Sequence, residues 1–233
     1  MKDIGKFKAL ENDFRQYAYV VSHDVGASVR HIKEFTRLLV SSLDVTLNEE
    51  QEQYRYFINR AMDKLDLMQD ALLAISRLQR YDLNIGTIDV KDFLTEITTQ
   101  EKYQNVDLLD MSFNVDEQLI KADAGMLAFA VNVILDNAVK FHAPDNQRIV
   151  ELKGTATKDK YVISVIDNDI GIANEYRDKV FDLFRTLNSE KEYEGVGSGL
   201  TMAKSIIDKH NGIIDITMTD DEKTCFSIIL PIV

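Results

Sequence analysis

Asn137 and Lys140 stand three residues apart in the run ILDNAVKF, a spacing that puts an amide and an ammonium on one face of a helix. Asn is intrinsically unfavourable in mid-helix. It is either a satisfied polar residue at the edge of a buried stripe or a group kept for its oxygen. In VIDNDIGI, an acid, Asp167, closes an alternating run and Gly171 follows at its exit. Phe181 and Phe184 form an apolar pair in the stretch VFDLFRTLN, suited to anchoring a loop. Gly195, Gly197 and Gly199 then alternate with Val196 and Ser198 directly ahead of a helix-forming run that opens at Leu200, in a chain with ten glycines among 233 residues. Glycines serve turns, because they take positive φ at little cost. Ahead of a helix they also let an anion reach unpaired N–H groups at the positive end of the helix dipole, the outline of a phosphate cradle. No Lys-Ser/Thr pair follows and no strand immediately precedes, so this is not a P-loop.

These residues need a scaffold, and the chain divides in texture near Gly86. The first 85 residues contain no proline and read as two long helices. Phe14, Ala18, Val21, Val25, Val29, Ile32, Phe35 and Leu39 repeat at steps of three and four in one. Tyr54, Ile58, Ala61, Leu65, Met68, Leu72 and Ile75 do so in the other. Asn48 with Gln51 three residues on forms a capping box. Two such seams cannot bury each other alone, and a four-helix bundle made by two chains is the economical solution. After Gly86 the pattern predicts a short helix over Val90–Thr99, a strand over Met111–Val115 and a helix over Gly125–Phe141. Two hairpins follow, over Ile149–Asp167 and from Ile213 to the C-terminus. The expected fold is therefore two domains. Residues 1–85 form an all-α hairpin that dimerises, and residues 86–233 form an α+β sandwich with an antiparallel-rich sheet.

The formal net charge of −12 and the absence of a long Lys/Arg run argue against nucleic acid or an anionic membrane as partner. No apolar run reaches the roughly 18–20 residues of a membrane span, and the chain reads as cytoplasmic. The single cysteine, Cys225, has no internal disulfide partner and is most simply a small buried residue.

Together, ILDNAVKF, DNDIGI, VFDLFRTL and GVGSGL resemble, in order, the N, D, F and G2 boxes of the Bergerat-fold ATP-binding domain of sensor histidine kinases. VSHDVGASVRHI, at residues 20–32, resembles the H box of their dimerisation and phosphoacceptor domain, most like the phytochrome-type subgroup. The resemblance implies a homodimeric kinase core that uses Mg-ATP to phosphorylate His23 and passes the group to an aspartate on a response-regulator receiver. It implies that the side-chain oxygen of Asn137 binds Mg²⁺ and that Lys140 places a point charge on the phosphates. Asp167, with Gly171 beyond it, would receive the adenine amino group. Gly195, Gly197, Gly199 and Leu200 would form the phosphate-facing end of a lid whose other end Phe181 and Phe184 pin. Asp24 would orient the His23 imidazole. His23 lies two positions past the seam residue Val21, about 200° round the helix, and so faces solvent. His31, on the same helix, lacks an adjacent acid.

Four positions depart from the family pattern. Ser28 stands where Pro is usual, and Ala27 where Thr or Asn would help position a water for phosphatase chemistry. Val133 replaces a polar residue four before Asn137, with Asn132 one position off, and Asp169 replaces the first glycine of the D box. The last two favour an alternative, a dimeric phosphotransfer scaffold without nucleotide. The retained Asn137, Lys140, Asp167 and three lid glycines count against it. A Bergerat-fold serine kinase or ATPase is a remoter alternative, opposed by the two-helix front end.

Overall fold

A computed structural model describes residues 26–42, 47–107, 109–141, 147–168, 170–187 and 195–232. The chain divides into two compact units between Arg80 and Tyr81.

In the first unit, residues 26–42 form helix α1 and Glu49–Arg80 form α2. The capping box at the start of α2 is reciprocal. The Asn48 N–H donates to Gln51 Oε1 and the Gln51 N–H to Asn48 Oδ1, both at 2.9 Å. Glu49, Glu50 and Glu52 in the first turn and Arg77 and Arg80 in the last complement the helix dipole. Gly26 faces α2, where a Cβ would meet only the movable end of the Gln69 side chain. Val29 and Met62 are buried, and Lys33 bridges to Asp63 at 2.7 Å. The apolar seam expected from the sequence is only partly used within one chain. Val29 is covered, but Ile32, Phe35, Leu39, Tyr54, Ile58 and Leu65 remain exposed, Phe35 at 68%.

The second unit starts with Tyr81. Strand β1 (Gly86–Asp89) leads into α3 (Val90–Thr98), whose first turn is capped by the Asp89 carboxylate. The short α4 (Glu101–Gln104) precedes β2 (Leu109–Val115) and β3 (Leu119–Ala122). Helix α5 (Ala124–Lys140) leads to the hairpin β4 (Arg148–Ala156) and β5 (Lys160–Asp167). Two 3₁₀ turns (Asn174–Tyr176 and Lys179–Phe181) precede α6 (Gly199–Lys209), and β6 (Ile213–Met218) and β7 (Thr224–Pro231) follow it.

Five strands make one sheet in the order β2-β4-β5-β7-β6, and β1 pairs with β3 in a separate ribbon. Every neighbouring pair in the larger sheet is antiparallel except β2 with β4. Leu152 pairs with Val165, Val165 with Phe226 and Phe226 with Ile216, so one row of apolar side chains crosses four strands. All four are buried, and α5 and α6 pack against this sheet. The outer face is more polar, and the hydroxyls of Ser164 and Ser227 meet there at 3.2 Å. Both predicted hairpins and the α5 helix form as expected, except that α5 ends at Lys140 and Phe141 is its C-cap. The strands β1 and β3 and the helix α4 are additional to the sequence reading. Among the described residues, no helix is long and apolar enough to cross a membrane.

Candidate nucleotide site

Asp123 starts α5 by accepting the Met126 N–H at 3.0 Å. Leu127, Ala130, Val131, Ile134, Leu135 and Ala138 are buried. That stripe sets the roll of the helix, and it turns Asn137 and Lys140, both half-buried, towards a cavity at its C-terminal end. Lys140 Nζ lies 5.1 Å from the centroid of the Phe141 ring, a cation–π distance. It would also be 3.4 Å from a Cβ placed on Gly195, which brings the ammonium to the glycine segment.

That segment is tightly built. Gly197 has φ +68°, and a Cβ there would meet the backbone carbonyl oxygen of Arg185 at 2.3 Å. Its own carbonyl accepts the Phe184 N–H at 2.9 Å, and Phe184 itself sits at φ 63°. The Thr201 hydroxyl donates to the Phe181 carbonyl at 2.9 Å, and Lys204 Nζ lies 5.1 Å from the Phe181 ring. Phe181 is buried. The two phenylalanines thus tie the loop to the start of α6 rather than line the cavity. Ser198 is the N-cap of α6 but makes no side-chain capping bond. An anion fits there, because first-turn N–H groups otherwise need water or a cap. Gly199 touches Val133, whose Cγ1 would be 3.2 Å from a Cβ at that position. The apolar residue at 133 therefore has a packing role against the glycine helix start.

The cavity holds about 300 Å³ and gathers Asn137, Lys140, Gly171, Gly195, Gly197, Gly199 and Leu200. Gly171, at φ +78°, borders open space, with no atom within 4 Å of a Cβ. Asp167 is 1% exposed at the end of β5, opposite Thr224, and lies outside the cavity lining. Arg185, Ile170 and Phe226 also line the space, although the sequence reading did not single them out. Among the described residues no cluster of three or more His, Cys, Asp or Glu could hold a metal. The amide oxygen of Asn137 is a hard, neutral donor of the kind a divalent cation takes. His23, Asp24 and Asp169 lie outside the described residues. His31 is exposed on α1.

The second unit thus sets a helix pair over a mixed sheet, with a glycine-built cavity at the uncapped start of α6. Residues 122–233 match the family described as "Histidine kinase-, DNA gyrase B-, and HSP90-like ATPase". The phytochrome-like protein Cph1 of Synechocystis sp. is 26% identical over 224 residues, 94% of this chain and 29% of that protein. The sensor histidine kinase YxdK of Bacillus subtilis is 29% identical over 190 residues, 79% of this chain and 58% of that protein. Full-length ShkA, solved in complex with AMPPNP, aligns with a TM-score of 0.64 at 20% identity over 93% of this chain and 46% of its own. Acinetobacter baumannii AdeS aligns with 0.60 at 15% identity over 90% of this chain and 98% of its own. Residues 122–233 thus carry the match to that ATPase family, and over most of its length the chain is similar to sensor histidine kinases. It spans about 29% of the phytochrome-like relatives it matches.

Proposed function

We propose that this chain is an autophosphorylating histidine kinase core of a two-component system. ATP binds the second unit, and the acceptor is His23 of the first. The observation that carries the reading is the convergence of Asn137, Lys140, Gly171 and the glycine segment on one cavity at an uncapped helix N-terminus. Mg²⁺ brought with the nucleotide would neutralise charge on its phosphates. Asn137 would hold the ion through its amide oxygen, and Lys140 would add a second positive charge beside Gly195. The N–H groups that open α6 would receive phosphate oxygens. Phosphoryl transfer is mostly positioning and charge neutralisation. An imidazole nitrogen of His23 forms the new P–N bond as the bond from phosphorus to the leaving ADP oxygen breaks, and ADP departs with that electron pair. Asp24 would hold the ring in the tautomer with a free nucleophilic nitrogen. The phosphoryl group would then pass to a receiver aspartate of a response regulator. The exposed seam formed by Ile32, Phe35, Leu39, Tyr54, Ile58 and Leu65 would be covered by the same seam of a second copy, completing a four-helix bundle.

Incubation with γ-labelled ATP tests this. The label should be acid-labile and base-stable, should vanish in His23→Gln and should persist in His31→Gln. A wild-type chain that binds no nucleotide would instead match the scaffold reading that Asp169 favours. A chain that binds but never labels would refute the kinase assignment.

A further inference from the structure

At the ends of α5 and α6 remote from the cavity lies a buried polar joint. His210 is 6% exposed. Its Nδ1 is 2.8 Å from the Ile206 carbonyl oxygen and its Nε2 is 3.0 Å from the backbone nitrogen of Asp123. A carbonyl can only accept, so Nδ1 carries the proton and Nε2 accepts from the Asp123 N–H. Both nitrogens of one neutral tautomer are used. The Asp123 side chain is equally committed. It accepts the Met126 N–H at 3.0 Å, the Asn84 N–H at 2.8 Å and the Tyr81 hydroxyl at 3.1 Å. Burial raises the affinity of this carboxyl for a proton, yet these donors outweigh it and hold the group below its usual range. Lys209 closes the corner by donating to the Tyr81 carbonyl at 2.9 Å.

Helices α5 and α6 run antiparallel between this joint and the cavity. Val133 meets Gly199 near the cavity, and Asp123 meets His210 at the far end. At about 1.5 Å per residue, the two contacts stand about 15 Å apart along either helix. The near contact is apolar packing of the Val133 methyls on Gly199, whereas the far contact is a directional hydrogen bond.

We propose that His210 is a positioning residue for the nucleotide site. It fixes the register of α6 on α5 and so places Gly199 and Leu200 opposite Asn137 and Lys140. The proposal rests on the nucleotide-binding reading of the cavity. The test uses the full chain, a fluorescent ATP analogue with Mg²⁺, and amide hydrogen exchange over residues 137–141 without nucleotide. His210→Phe keeps a ring but loses both bonds; the analogue should bind about tenfold more weakly, within the range expected of remote positions, and exchange should quicken. His210→Gln, which offers an amide oxygen to the Asp123 N–H, should recover most of the affinity and the slow exchange. Ile228→Val, in the sheet core away from the joint, supplies a lowered unfolding midpoint without the lost bonds and should bind as wild type. Wild-type affinity and exchange in His210→Phe overturn the proposal, as does equal weakening in Ile228→Val. If the wild-type chain binds no analogue, the nucleotide reading fails. The exchange comparison then decides the joint: unchanged exchange in His210→Phe refutes it, and faster exchange rescued by Gln upholds it.

Discussion

Replacing Gly197 by Ala should damage nucleotide binding far more than its single methyl suggests. At φ +68° an alanine is held in the left-handed region, which costs about 1–2 kcal/mol. Its Cβ would also fall 2.3 Å from the Arg185 oxygen and 2.8 Å from the Arg185 carbonyl carbon. Both are backbone atoms, so the segment must move rather than a side chain rotate. Moving it breaks the bond from the Phe184 N–H to the Gly197 carbonyl, a further loss of about 0.5–1.5 kcal/mol. The sum is about 1.5–3.5 kcal/mol, spent locally, because the segment can open while the sheet core stays intact. If binding needs the native segment, affinity falls about 10- to 300-fold, at about 1.4 kcal/mol per tenfold. Gly171→Ala is the internal comparison. Its φ is +78°, but a Cβ there meets nothing within 4 Å. Only the conformational cost applies, and the expected loss is about 5- to 30-fold, smaller than that of Gly197→Ala by the value of the broken bond. Titration with a fluorescent ATP analogue, alongside thermal unfolding of each variant, measures both. Equal losses in the two variants, or a Gly197→Ala affinity within threefold of wild type, would refute the steric argument.

Three further outcomes are expected. Asn137→Ala should abolish Mg²⁺-dependent ATP binding with the unfolding transition retained, and unchanged affinity by calorimetry would remove its proposed metal role. Leu65→Glu places a charge on the exposed seam and should shift light scattering from dimer to monomer at micromolar concentration; an unchanged dimer would place the interface elsewhere. Burial pushes the Tyr161 hydroxyl, which donates to the Asp116 carbonyl at 2.7 Å, up to about 12. The folded state therefore holds this proton more tightly than the unfolded chain does. The resulting stability is complete below about pH 10, the usual tyrosine value, and is lost as pH rises through about 12. Tyr161→Phe should flatten that alkaline fall in denaturant midpoints, and an unaltered slope would contradict the assignment.

The sequence was most legible where the physics is local. The Asn48–Gln51 box, the apolar stripe of α5 and both hairpins depend on neighbours a few residues away. β1 and β3 were missed because each is four residues long and each finds its partner only in the other. The parallel pairing of β2 with β4 joins segments separated by α5, and no local pattern reports it. Of the site, Asn137, Lys140, Gly171 and the glycine segment were readable as motifs. Arg185 and His210 were not, because their positions depend on how distant elements close. Asp123 had a signal, an acid directly ahead of an apolar run, which is a helix-start pattern. Val133 looked like a defect when judged by residue type alone, and only its contact with Gly199 gives it a purpose.

The bond between Phe184 and Gly197 also bears on how this loop can change over generations. It is a bond between two backbones, so it survives a change of side chain at position 184, whereas any side chain at position 197 meets the Arg185 carbonyl. Among descendants of this chain, position 184 should accept substitution more readily than position 197, which should stay glycine.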